Sequence, residues 1–221
     1  MSIAKYVDHT ILAANATASQ IITLCEEAKE HQFFSVCVNS SFVPLAKEHT
    51  SGSDVAVCAV VGFPLGMMNT ESKVFEAKSA VENGADEIDM VINVGKLKDG
   101  ENDYVENEIR LIKEAIGERV LKVIIETCYL TDEEKERASK LSVNANADFV
   151  KTSTGFGTGG ATYEDIQIMK DAVAGKAQLK ASGGVRDYET AQKYIDMGVT
   201  RLGTSSGIKI IQGGTADEGS Y

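Results

Sequence analysis

Short apolar runs rich in valine and isoleucine alternate along this chain with longer stretches whose apolar residues return at helical spacing. The short runs lie in VDHTIL, SVCV, VAVCAVVG, EIDMVINVG, LKVIIET, DFVKTS, QLKASGG and RLGTSS, and they predict eight strands. Between them the spacing predicts helices over Thr17 to Glu30, Thr70 to Asn83, Asn102 to Ile116, Thr131 to Asn144, Thr162 to Val173 and Tyr188 to Met197. Capping residues stand where several of these begin: Thr70, Thr131 with Glu134 as a capping box, and Asp187 before Tyr188. Strand and helix in regular alternation imply a parallel sheet, because each crossover helix returns the chain to the same end. Eight such units, each of roughly 25 residues, fit an α/β chain closed as a single (β/α)8 TIM barrel. An open doubly wound sheet is the competing arrangement. No linker interrupts the pattern, so residues 1–221 read as one barrel domain with a flexible C-terminal tail from about 213, where Gly213, Gly214 and Gly219 leave few apolar anchors.

A barrel separates the two parities of each strand, one packing under the helices and the other filling the lumen. In EIDMVI the apolar Ile88, Met90 and Ile92 oppose Glu87 and Asp89. In LKVIIE, Leu121, Val123 and Ile125 oppose Lys122, Ile124 and Glu126; Lys151 shares the parity of Phe149, and Lys180 that of Gln178. Polar groups therefore gather on the inward parity. Asp89, Glu126, Lys151 and Lys180 lie nearest the strand ends and are expected at the C-terminal mouth, where barrel enzymes hold their chemistry.

Charge narrows the classes of partner. Lysine and arginine total 22 against 33 aspartates and glutamates, a net charge of −11, which argues against nucleic acid or an anionic membrane. The apolar run near the N-terminus is too short for a signal sequence, and no apolar run is long enough to span a bilayer, so a cytoplasmic protein is expected. Cys25, Cys37, Cys58 and Cys128 lack paired spacing, so reduced thiols are expected rather than disulfides or a zinc site, with Cys37 the one to follow.

Several groups carry candidate chemistry. A lysine at a barrel mouth serves as an ion-pair partner, a phosphate contact or a covalent nucleophile, and these readings stay open for Lys151 on its own. Lys180 on the next strand favours the nucleophile, since a second ammonium and a desolvated lumen both disfavour charge on the first. Asp89 reads equally as a neutralising partner or as a proton-transfer group. Glu126 reads as a structural partner for Lys122 or a mouth lysine. Glycines follow three late strands, at 155, 157, 159 and 160, at 183 and 184, and at 203 and 207 around Ser205 and Ser206. In a barrel such loops, with a short helix beginning near Ser206, commonly seat a phosphate. Asp8 and Thr10 read as hydrogen-bonding residues at the end of the first strand, with His9 pointing outward, and Met67 and Met68 as loop packing.

VDHTIL, CVNSSFV, VVGFPLG, EIDMVINVG, KVIIET, DFVKTSTGFGTGGAT, LKASGGVRD and RLGTSSG, in this order across the whole chain, closely resemble the deoxyribose-phosphate aldolase family. The resemblance implies a class I aldolase of deoxyribose phosphate catabolism, without metal or other cofactor. It would interconvert 2-deoxy-D-ribose 5-phosphate with acetaldehyde and D-glyceraldehyde 3-phosphate. Matched by motif, Lys151 is the Schiff-base lysine, Lys180 tunes it, and Asp89 transfers protons with a water. Thr154, Gly155, Gly183, Gly184, Gly203, Ser205 and Ser206 fall on substrate and phosphate contacts, and the terminal Tyr221 on a proton donor. Phe156 departs from the pattern, standing where some members carry a lysine. Small phosphosugars and aldehydes are the implied partners, and a homo-oligomer is left open. A phosphosugar isomerase with carboxylate bases and a binding-only barrel remain the alternatives on residues alone.

Overall fold

The computed structural model describes residues 2–215. Its strands are β1 (Val7–Thr10), β2 (Ser35–Asn39), β3 (Ala56–Val61), β4 (Glu87–Val91), β5 (Val120–Ile124), β6 (Phe149–Lys151), β7 (Gln178–Ser182) and β8 (Arg201–Thr204). Each pairs in parallel with its sequence neighbours, and β8 returns to β1, where Leu202, Gly203 and Thr204 face Val7, Asp8 and His9. That last ladder closes the barrel and excludes the open sheet.

The helices are α1 (Ala18–Glu30), α2 (Val43–Thr50), α3 (Thr70–Glu82), α4 (Val94–Lys98), α5 (Asn102–Ile116), α6 (Asp132–Asn144), α7 (Tyr163–Val173), α8 (Tyr188–Asp196) and α9 (Gly207–Ile211). The box at α6 forms as the sequence predicts: the Thr131 N–H donates to Glu134 Oε2 at 2.8 Å, and the Glu134 N–H to Thr131 Oγ1 at 3.3 Å. Asp187 accepts from the Thr190 N–H at 2.8 Å and opens α8. One cap differs. Asn69, not Thr70, accepts the Ser72 N–H at 3.0 Å, which frees the Thr70 hydroxyl to donate to Glu108 on α5 at 3.3 Å. Two capping types stand side by side there, and only the packing of α3 on α5 chooses between them.

Outward strand residues such as Val57, Ile88, Met90, Leu121, Val123 and Leu179 pack with Ile21, Leu24, Ile109, Ile112 and Ile166 of the helices in one buried apolar cluster. A smaller cluster of Leu12, Cys37, Cys58, Val60 and Phe63 lies apart from it. Lys73 and Glu108 form a second kind of core contact. Their side chains are fully buried and paired at 2.8 Å, and Lys73 also donates to the Val91 carbonyl at 2.9 Å, tying α3 and α5 to the end of β4. The lysine stem crosses Gly62, where a Cβ would fall 2.9 Å from Lys73 Cε.

The expected tail begins in ordered contacts. Gly213 and Gly214 donate to the carbonyls of Ile210 and Lys209, and Thr215 bridges to Asp187. Among the described residues no helix is long and apolar enough to cross a membrane.

Candidate active site

The inward parity carries charge instead of the branched apolar layers that usually fill a barrel. Three carboxylates, Asp8 on β1 with Glu87 and Asp89 on β4, meet four cations, Lys122 on β5, Lys151 on β6, Lys180 on β7 and Arg201 on β8. Asp89 is the hub. Its Oδ1 accepts from Lys122 at 2.8 Å, and its Oδ2 accepts from both Lys151 and Lys180 at 2.8 Å. Lys180 donates also to Asp8, and Lys122 lies 2.6 Å from Glu87. Arg201 bridges Asp8 at 2.9 Å and Glu87 at 2.8 Å, and its guanidinium lies 3.5 Å over the ring of Phe34. All seven are buried, Lys151 being 3 % exposed.

Such a cluster survives desolvation only because every charge is paired. Burial pushes the carboxyl groups of Asp8 and Asp89 up, but the surrounding cations outweigh it. Arg201, Lys180 and Lys122 hold Asp8, and Lys122, Lys151 and Lys180 hold Asp89, well below the usual carboxylate range. Burial likewise pulls Lys180 down, and Asp8 and Asp89 overcome it, so this ammonium stays charged far above the usual lysine range. Among the described residues, four cations against three carboxylates leave one surplus positive charge, so loss of a single proton makes this cluster neutral. Among the described residues Lys151 makes one carboxylate contact, whereas Lys122, Lys180 and Arg201 each make two or more.

Lys151 and Lys180 are directly paired positions on adjacent strands, so their inward stems run side by side. Immediately after β6 the chain enters the glycine-rich loop, in which Gly155 has φ 88°. Gly155, Gly183, Gly184, Ser205 and Ser206 line one cleft of about 220 Å3, together with Arg186, a cation the sequence reading did not single out. Gly203 is not part of that lining. A Cβ there would fall 2.8 Å from Ser182 Cβ and 3.2 Å from Lys180 Cε, so its bareness gives the lysine stem room. Thr154 lies on the other side of the loop. Buried, it donates through its hydroxyl and its N–H (3.2 Å) to Glu126. Among the described residues Glu126 forms no ion pair with Lys122 or another lysine, against expectation, although the charge of Lys151 reaches it. It sits in the left-handed region at φ 55° and holds the β6 loop instead, with burial pushing its carboxyl above the usual range. Tyr221 lies outside the described residues.

Asp8, Glu87, Lys122 and Arg201 are the members of the network to which sequence reasoning gave no functional role, although it placed Glu87 and Lys122 on the inward parity; Asp8 and Arg201 it did not place there. Strand parity carries the signal for both, since Asp8 and Arg201 fall inward as Lys180 does. His9 points outward as predicted, 2.7 Å from Glu27 on α1. Met67 and Met68 do not pack in their loop but stand 64 % and 41 % exposed. The four cysteines are free thiols, three of them buried.

Cys37, Cys58 and an Asp89 oxygen lie within 4.8 Å of one another, a spacing a metal ion could bridge. Yet Asp89 already accepts three ammonium groups, Cys58 donates to it at 3.1 Å, and Lys122 donates to Cys58 at 3.4 Å. Cations fill the space, and the donors do not fit a resident metal.

The profile of the DeoC/LacD family aldolases matches residues 2–213. The chain is 57 % identical over 213 residues to a deoxyribose-phosphate aldolase of Finegoldia magna, covering 96 % of this chain and all of that one. It is 57 % identical over 221 residues to a deoxyribose-phosphate aldolase of Streptococcus gordonii, covering both chains in full. The structure of a tetrameric deoxyribose phosphate aldolase of Aeropyrum pernix superposes with a TM-score of 0.84 at 30 % identity, covering 95 % of this chain and 89 % of that one.

Proposed function

The chain belongs to the DeoC/LacD family of aldolases, and we propose that it reversibly cleaves 2-deoxy-D-ribose 5-phosphate to acetaldehyde and D-glyceraldehyde 3-phosphate through an imine on Lys151. The carrying observation is the shared oxygen of Asp89, which holds Lys151 beside a Lys180 that stays charged.

In this scheme the surplus proton of the lumen leaves Lys151, and the free amine attacks the substrate aldehyde carbon. Loss of water gives an iminium, whose nitrogen accepts the electron pair when the C2–C3 bond breaks. That break requires the C3 hydroxyl to lose its proton. Asp89, held as a carboxylate by the ammonium groups of Lys122 and Lys180, is a weak base alone. The proton is therefore handed through water along the Asp89–Lys180–Asp8 chain of hydrogen bonds. Glyceraldehyde 3-phosphate departs, the remaining enamine is protonated at carbon, and hydrolysis releases acetaldehyde and restores the amine.

The cleft of glycines and serines is suited to the phosphate end. Its backbone N–H groups, the hydroxyls of Ser205 and Ser206, and Arg186 supply donors and positive charge on a protein of net charge −11. A merely binding barrel has no use for a nucleophile whose partner is held charged, and an isomerase forms no imine. Borohydride reduction in the presence of acetaldehyde, followed by mass mapping, is expected to add one ethyl group, at Lys151. Full aldol turnover with no trapped adduct would sink the scheme.

A further inference from the structure

The β6 loop is pinned at both of its ends, and the two pins differ in kind. At the far end the Ala161 N–H donates to the carbonyls of Ser182 at 3.1 Å and Gly183 at 2.9 Å, and a Cβ on Gly160 would fall 2.2 Å from the Gly183 oxygen. That pin is backbone on backbone. At the near end the pin is a side chain: the Glu126 carboxylate accepts the Thr154 N–H, at 3.2 Å on one oxygen and 3.3 Å on the other, and also the Thr154 hydroxyl. Between the pins Gly155, Gly157, Thr158, Gly159 and Gly160 line the cleft suited to the phosphate. On the phosphate reading above, we propose that Glu126 is a positioning residue for phosphate recognition, acting through Thr154 on a loop that it holds from the side away from the substrate.

Neither Glu126 nor Thr154 lines that cleft. Both border a separate cavity on the other side of the turn, with Gly157 shared between the two. Thr154, expected among the substrate contacts, thus stands behind the loop, and whatever it does for a phosphate passes through the backbone it carries. Glu126 is 3 % exposed and Thr154 1 %, so water does not compete for their hydrogen bonds. The Thr154 hydroxyl is used twice, since its oxygen accepts the Phe156 N–H at 3.0 Å. Its single proton is committed to the carboxylate, which turns the oxygen lone pairs to Phe156 and fixes the first turn of the loop.

The backbone also closes over the carboxylate. A Cβ on Gly157 would fall 2.7 Å from Cys128 Sγ and 3.3 Å from Glu126 Cδ, so a glycine there lets the loop lie directly on the Glu126 side chain. Glu126 takes this place at a conformational cost, its φ of 55° and ψ of 68° lying in the left-handed region that a glutamate rarely adopts. Donors held in place before the substrate arrives need no ordering when it binds, and a loop pinned at one end does. Loss of the near pin therefore weakens the hold on a phosphate without reaching the amine of Lys151.

Cleavage kinetics of 2-deoxy-D-ribose 5-phosphate, set beside borohydride trapping of acetaldehyde at Lys151, separate the two ends of the site, because acetaldehyde carries no phosphate. Glu126→Gln keeps the shape of the side chain and removes its charge. It is expected to raise KM for the phosphosugar by about tenfold or more, the factor for a hydrogen bond to a charged group, with kcat and the extent of trapping as in the wild type. Competitive inhibition by inorganic phosphate should weaken by a similar factor. Thr154→Val, which removes one of the two donors, should shift KM the same way by less, and Thr154→Ser, which keeps the hydroxyl, should leave it in place. With Glu126→Gln present, Thr154→Val should add little, since the pair acts as one unit. The Thr154 variants carry the test if Glu126→Gln does not fold. An unchanged KM in both Glu126→Gln and Thr154→Val, or full additivity of the two changes, overturns the proposal. So does a fall in kcat and trapping that matches the rise in KM, which would make Glu126 a support of the whole barrel mouth. Failure of the phosphate reading appears separately, as a wild-type protein that inorganic phosphate does not inhibit, and failure of the imine reading as absence of the wild-type adduct.

Discussion

Asp89 has two oxygens and three ammonium donors, and this crowding explains why small changes around it should have large consequences. Lys180→Met removes one cation and leaves equal numbers of positive and negative groups in the lumen, so the drive to release a proton is lost. Imine formation with acetaldehyde at pH 7 is expected to slow by about tenfold or more, the equivalent of about 1.4 kcal/mol on the barrier. Raising the pH should recover much of the rate. An unchanged pH–rate profile would make Lys180 a structural residue. Asp89→Asn should do worse than Lys180→Met, because it leaves several buried cations short of a partner and costs stability as well as turnover. Thermal melts recorded beside the trapping rate separate the two effects.

At the scale of elements, the fully buried Lys73–Glu108 pair is the contact joining α3, α5 and β4. Burial lowers the lysine and raises the glutamate from their usual ranges, so each depends on the other to stay charged. Lys73→Met alone strands Glu108 and is expected to cost about 3–5 kcal/mol in denaturant melts, whereas Lys73→Met with Glu108→Leu should cost less than the single change. Thr131→Ala, removing the cap of α6, should cost about 1 kcal/mol. The elements themselves were legible wherever period and cap agreed, as at Thr131 and Asp187. The sequence reading missed α2, whose eight residues VPLAKEHT offer barely two turns of pattern, and α4, which is shorter still. Strand parity sent Lys151, Lys180 and Asp89 inward correctly. It failed at Glu126 because the left-handed backbone there ends the alternation, turning the carboxylate onto Thr154. Nothing in a period-two pattern signals such a turn at a glutamate.

For the molecule as a whole, the lumen ties stability to pH in a definite direction. Asp8 and Asp89 are depressed in the folded protein, so their contribution is complete above the unfolded carboxylate value of about 4 and disappears only as pH falls through the much lower folded values. Lys122, Lys180 and Arg201 are raised, through Asp89, Asp8 and Glu87 acting against burial. The contributions of the two lysines are complete below about pH 10 and are lost only as pH rises through their folded values, and that of Arg201 persists higher still. Between these limits the cluster contributes a plateau. Melting temperature should therefore vary little from about pH 5 to 9, and Asp8→Asn should lower the whole plateau rather than shift one edge. A sharp fall of the wild-type melt within that window would contradict the assignment. The same cluster divides along the chain in a way its geometry conceals: all three carboxylates come from β1 to β4, and all four cations from β5 to β8. Each half alone would bury charge of a single sign and cannot close around it. The exposed turn at Gly117, where nothing stands within 4 Å of a Cβ position, offers a place to cut. Fragments 1–117 and 118–221 should each stay unfolded when separate and regain aldol turnover when mixed, since each brings the counter-ions the other lacks. An independently folded fragment would show that the halves do not need one another's charge.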